Sequence, residues 1–163
     1  MSNSSYQSEA LQSSLNHYLE QEGLVQENQA HYGLQSFLQN RMLLIESIRK
    51  GVSYALFQQL QSFSPFNEAE WAEYLNISQK TLQRNSKTEA FHFKPIHSEK
   101  IFELAEVSNL GSTVFDSPDA FRLWLNSPSP ALGNHLPKHL IQNSYGKELV
   151  IDELHRINHG VFA

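Results

Sequence analysis

Residues 68–85 read EAEWAEYLNISQKTLQRN, and the turn in the middle of this stretch decides the fold. Two helices meeting across a tight turn need a small residue at the contact, a residue that tolerates positive φ in the turn, and an apolar anchor on the second helix. Ala72, Asn76 and Leu82 stand at the required offsets. Ala72 allows close approach, and Asn is the residue best suited, after Gly, to left-handed backbone. Leu82 locks the second helix. Asn67 is expected to cap the first helix, whose first turn carries acids where the helix dipole favours them. Ser78 is expected to cap the second.

On that reading Gln79, Lys80, Thr81, Gln83, Arg84 and Lys87 decorate the start and outer side of the second helix. Amides, hydroxyls and bases suit phosphate oxygens and base edges, so these six are the candidate DNA-contacting residues. Charge is distributed in keeping with this. Residues 78–100 hold five bases against two acids, whereas residues 1–40 hold four acids and no Lys or Arg. The chain as a whole carries −5 over 163 residues, which argues against a general nucleic-acid coat. DNA affinity would therefore rest on the local patch, doubled in a dimer. Helix pairs of the same spacing also serve as protein-only modules, and a basic window also occurs on ordinary solvated surface. Spacing alone leaves both readings open.

Outward from the turn, every segment reads as helix or loop. Leu11, Leu15, Tyr18 and Leu19 have helical spacing inside a polar, partly mobile leader covering residues 1–35. Leu38, Met42, Ile45 and Ile48 predict one buried stripe running to a stop at Gly51. Residues 53–63 repeat the pattern behind a Ser53 cap. Ile101, Phe102, Leu104, Ala105 and Val107 predict a further buried stripe. Ser117-Pro118-Asp119 is a strong helix start, Pro137 opens a short helix, and Val150, Leu154 and Ile157 mark a last helix closed by Gly160. "FHFKPIH" (91–97) could make one short strand at most. The expected class is all-α.

Hydrophobic residues at 40%, 11% of the chain being aromatic, suffice for a real core. With no cysteine, disulfide scaffolds, thiolate nucleophiles and Cys-based zinc sites are excluded, in keeping with a reducing cytoplasm. No apolar run approaches the roughly 18 residues of a membrane span. The opening residues lack a basic region followed by an apolar stretch, so a cytoplasmic protein with no membrane partner is expected. His155 and His159, like His135 and His139, are spaced to share a helix face, but neither pair has the adjacent Glu of a zinc hydrolase. Phosphate loops, nucleophile elbows and Cys/His pairs are missing from the sequence. Neither enzymatic activity, nor a metal, nor a cofactor is expected.

Three stretches taken together resemble one family. "YLNISQKTLQR" (74–84), "AFRLWLNSPSPALGNHLP" (120–137) and "GKELVIDELHRINHGVFA" (146–163) are similar to the Xre/MbcA/ParS antitoxins of bacterial type II toxin–antitoxin pairs, whose partners are RES-domain toxins. The resemblance spans roughly residues 45–163, and the pairing of WLNSPSPALG with RINHGVFA is its specific part. It implies an N-terminal Xre-like helix-turn-helix bundle, over residues 36–110, that dimerises and binds the promoter DNA of its own operon. It further implies a small helical C-terminal toxin-binding domain, over 111–163, that masks the toxin as a homodimer within a hetero-oligomeric complex. RES toxins resemble ADP-ribosylating enzymes and consume NAD⁺; the antitoxin does not. Carried over residue by residue, Arg156, Asn158, His159, Gly160, Val161 and Phe162 face the toxin, while Trp124, Leu132 and Gly133 shape the fold. The chain departs from the family pattern at Asn134 (usually Gly), Leu136 (a small hydroxyl residue), Lys138 (apolar) and Asn85 (often Arg).

The tail RINHGVFA (156–163) can be read in two ways. Packed on its own chain, Gly160 would stop the helix and Phe162 would plug the core. As a partner anchor, Gly160 would release the chain to deliver Phe162 into a foreign cleft, a burial contributing roughly 1.5–3 kcal/mol. The family resemblance favours the anchor. The alternative for the whole chain is a stand-alone helix-turn-helix regulator whose C-terminal part only dimerises.

Overall fold

The computed structural model describes residues 2–160, and these residues form ten α-helices with no strand beyond two isolated bridges. The helices are α1 (Ser2–Gln21), α2 (Leu34–Gln39), α3 (Arg41–Lys50), α4 (Tyr54–Phe63), α5 (Glu68–Leu75), α6 (Gln79–Ser86), α7 (Pro95–Val114), α8 (Pro118–Leu125), α9 (Pro137–Leu140) and α10 (Ser144–Asn158). They divide into two compact units, residues 1–102 and 103–163. The all-α expectation holds.

In the first unit α1 lies along α4. Leu11, Leu15, Tyr18 and Leu19 are its buried face, each contributing roughly 1.5–3 kcal/mol by leaving water. The Tyr18 hydroxyl donates to the carbonyl of Gly51 at 2.8 Å, where α3 ends with φ at 91°. Gly23 closes α1: its amide bonds Glu20 O at 3.1 Å and the Leu24 amide reaches back to Leu19 O at 2.9 Å, the paired bonds of a left-handed helix stop. An aromatic cluster fills the centre, with Phe57 edge-on to Trp71 at 5.3 Å and to Phe93 at 4.9 Å. The Trp71 indole N–H donates to the Ser64 hydroxyl at 2.8 Å. Ser98, fully buried, accepts from the Val52 amide at 2.9 Å and donates to Phe93 O at 3.2 Å.

One predicted stripe needs correction. Leu38 is buried, but Met42 and Ile45 are 66% and 41% exposed, and Leu43 and Ser47 face the core instead. Asn40 is the reason. It ends α2 and caps α3, its side chain accepting from the Leu43 amide. A helix that restarts there resets the phase of the pattern, so spacing counted across residue 40 marks the wrong face. The 101–107 stripe, by contrast, is buried as expected.

The second unit gathers the end of α7 with α8, a 3-10 turn at Pro130–Leu132, α9 and α10. Leu104, Val107, Phe121, Leu125, Ile141, Val150 and Leu154 are among its buried residues. Phe115 stacks on Phe121 at 5.4 Å, and Trp124 lies 5.7 Å from Phe115. Two glycines set the spacing of the helices. A Cβ on Gly111 would fall 2.1 Å from the Phe121 ring, and one on Gly146 would fall 1.9 Å from the Leu140 carbonyl oxygen.

Candidate nucleic-acid and partner-protein surfaces

The turn between α5 and α6 is built by its caps. Asn67 and Glu70 form a reciprocal box at the start of α5, at 2.8 and 3.1 Å. Asn76 ends the helix in left-handed backbone (φ 55°, ψ 43°), and the Ile77 amide bonds back to Ala72 O at 3.0 Å. Ala72 and Leu82 are both buried at the crossing, as the offsets required. Ser78 caps α6, accepting from the Thr81 amide at 3.0 Å and donating to the Thr81 hydroxyl at 2.9 Å.

Of the six residues expected to meet DNA, Gln79, Lys80, Gln83, Arg84 and Lys87 are exposed. At 100° per residue they occupy about 140° of helix circumference, one face opposite Thr81 and Asn85. Thr81 is half-buried and holds the cap, so its hydroxyl is already engaged. Beyond α6, His92 meets Glu22, which follows α1, at 2.5 Å, and lies 3.0 Å from Ala90 O. Burial acts to lower the titration of His92, but the hydrogen bond and charge of Glu22 outweigh it, leaving His92 above its ordinary range. His97 is shifted the other way, by burial and by Lys94. The helix-turn-helix region is thus tied to the leader through an ionisable pair.

In the second unit α10 begins at an Asn143 cap, whose side chain accepts from the Gly146 amide at 2.8 Å. It ends at Gly160, left-handed with φ at 70° and nothing within 4 Å of a Cβ there. Of the residues expected to face a partner, Arg156, Asn158, His159 and Gly160 are exposed. Arg156 pairs with Glu153 at 2.6 Å, and the His155 and His159 rings stack at 6.4 Å. Val161 and Phe162 lie outside the described residues. Trp124 and Leu132 pack inward, half-buried and buried, and Gly133 ends the 3-10 turn in left-handed backbone at φ 67°. Asn134 follows with φ at 65°. Where the family pattern has Gly, this chain has the residue that next best tolerates that conformation, so the departure leaves the loop intact. Sequence reasoning missed Gly111 and Gly146, because only the packed helices reveal what a side chain would strike.

A helix-turn-helix with an exposed basic face, followed by a separate small helical unit, defines the class of protein. Residues 43–106 match the antitoxin Xre-like helix-turn-helix domain, and residues 111–160 match the antitoxin Xre/MbcA/ParS C-terminal toxin-binding domain. Antitoxin Xre of Yersinia enterocolitica (serotype O:8 / biotype 1B) is 26% identical over 122 residues, covering 74% of this chain and 82% of that relative. The chain belongs to the Xre-type antitoxins, with a helix-turn-helix and a toxin-binding domain in one polypeptide. Among the described residues no helix is long and apolar enough to cross a membrane.

Proposed function

We propose that this chain is a non-catalytic, cytoplasmic inhibitor of a RES-domain, NAD⁺-consuming toxin, and that it represses its own operon through α6. The observation that carries this reading is the succession of a helix-turn-helix match and a toxin-binding match along one chain. Inhibition is steric: the C-terminal unit and residues 156–162 cover the toxin's cleft and keep NAD⁺ out, with Phe162 as the anchor. Gln79, Lys80, Gln83, Arg84 and Lys87 meet promoter DNA, and a homodimer supplies two such faces within the toxin complex.

The test is co-expression with the product of the adjoining reading frame, which this reading requires to be a RES-domain toxin. Deleting residues 158–163 removes the anchor while leaving all of α10 but its last residue, so the truncated chain should fold and dimerise yet fail to rescue growth. Full rescue by the truncated chain would refute the anchor.

A further inference from the structure

Helix α10 has a second face that its own unit does not use. Counting from Tyr145, the residues Leu149, Asp152, Arg156 and His159 follow at alternate steps of 4 and 3. At 100° per residue the five fall within about 80° of arc, and at 1.5 Å per residue they form a row about 21 Å long. All five are exposed, Tyr145 at 85% and Leu149 at 53%, while Val150 and Leu154 on the opposite side are fully buried. The row is apolar at its beginning, acidic at Asp152, and basic or ionisable at Arg156 and His159. A Tyr and a Leu one turn apart, held in water on a rigid helix, have the character of interface anchors, aromatic residues above all.

We infer that this row, and not the tail alone, is the docking face for the toxin. Tyr145 and Leu149 enter an apolar recess of the partner, and Asp152 and Arg156 meet charges of opposite sign beside it. The inference rests on the function proposed above. Two observations commit it to that occupant. The whole row lies within the residues matched by the toxin-binding domain. It also runs without a break into Arg156 and His159, two of the residues proposed for toxin contact. DNA is a poor fit, since Glu148 and Asp152 on this side of the helix would repel phosphates.

The experiment is calorimetric titration of the purified chain against the RES-domain toxin proposed above as its partner. Because both apolar residues are exposed, the double variant Y145A/L149A should keep the unmodified melting temperature and circular dichroism. Its affinity for the toxin should fall by roughly 30-fold or more, the effect of truncating an interface hot spot. L123A, on α8 and exposed to 70%, is the control and should bind as the unmodified chain does. Equal loss in the control would overturn the inference. So would undiminished binding by Y145A/L149A alongside lost binding on deleting 158–163, a result that leaves the proposed function standing. A double variant that impairs self-association but not toxin binding would assign the row to a second copy and overturn the inference. No binding by the unmodified chain would overturn both.

Discussion

Replacing Gly146 with Ala tests the packing of the C-terminal unit at its tightest point. A Cβ there would stand 1.9 Å from Leu140 O and 2.7 Å from its carbonyl carbon, where real contacts stay beyond 3.0 Å. The obstructing atoms are all backbone, so no rotamer change relieves them; α9 and α10 must separate by about 1 Å. Two effects oppose each other. Ala is favoured over Gly in a helix by about 1 kcal/mol. Overpacking a well-filled site costs roughly 1–3 kcal/mol, and shifting the first turn of α10 also strains the 2.8 Å Asn143 cap, a further loss of about 1 kcal/mol. The clash wins by roughly 1–3 kcal/mol, which lowers the melting temperature of this unit by about 4–24 °C. Differential scanning calorimetry of the full chain reads this directly, because two units can melt as separate transitions. A variant as stable as the unmodified chain, or more so, would show that helix propensity dominates and that α9 and α10 are not in the contact described.

Removing the two central bases, as K80A/R84A, should abolish binding to the operon's upstream DNA at moderate salt. Any residual binding should have a shallower salt slope, by about one unit per lost phosphate contact, while toxin binding stays unchanged; an unaltered anisotropy titration would discard α6 as the recognition helix. The Glu22–His92 pair gives a pH-dependent stability. His92 titrates above its ordinary value near 6.5, so its contribution is fully present below that value and is lost as pH rises through the folded-state pKa. His97 acts in the opposite sense, so the informative quantity is the difference between the unmodified chain and H92Q. That gap should be widest near pH 5.5 (roughly one unit below the ordinary value) and should close as the pH becomes alkaline; a gap independent of pH in chemical denaturation would contradict the ion pair. At Asn134, with φ at 65°, Ala should cost about 1 kcal/mol and Gly nearly nothing, and equal melting temperatures for the two variants would refute the backbone argument.

The parts of this fold that could be read in the sequence are those governed by a few neighbouring residues. Asn67, Asn76, Ser78, Ser117 and Gly160 are caps or stops, and each acts within one helical turn of itself. The helix-turn-helix was legible because Ala72 and Leu82, both buried, are placed by the same short turn. Met42 and Ile45 were misplaced because Asn40, at the centre of the polar break over residues 39–41, resets the helix phase, and its capping role emerges only with the bond to Leu43. Gly111 and Gly146 look like ordinary helix glycines until Phe121 and Leu140 arrive from another helix. The row Tyr145–His159 was hidden for a related reason: Val150, Leu154 and Ile157 mark the buried face of α10, and nothing local says that Tyr145 and Leu149 stay in water. The acidic leader contributes a buried face and the Tyr18 bond to Gly51, long-range pairings that its polar composition does not advertise.

The most direct measurement is the NAD⁺ consumption of the RES-domain toxin that the proposed function assigns as partner, purified and followed as the chain is titrated in. Activity should fall to background once the chain saturates the toxin, and the variant lacking residues 158–163 should leave it running at equal concentration. NAD⁺ turnover that persists at saturating unmodified chain would contradict occlusion of the toxin's cleft.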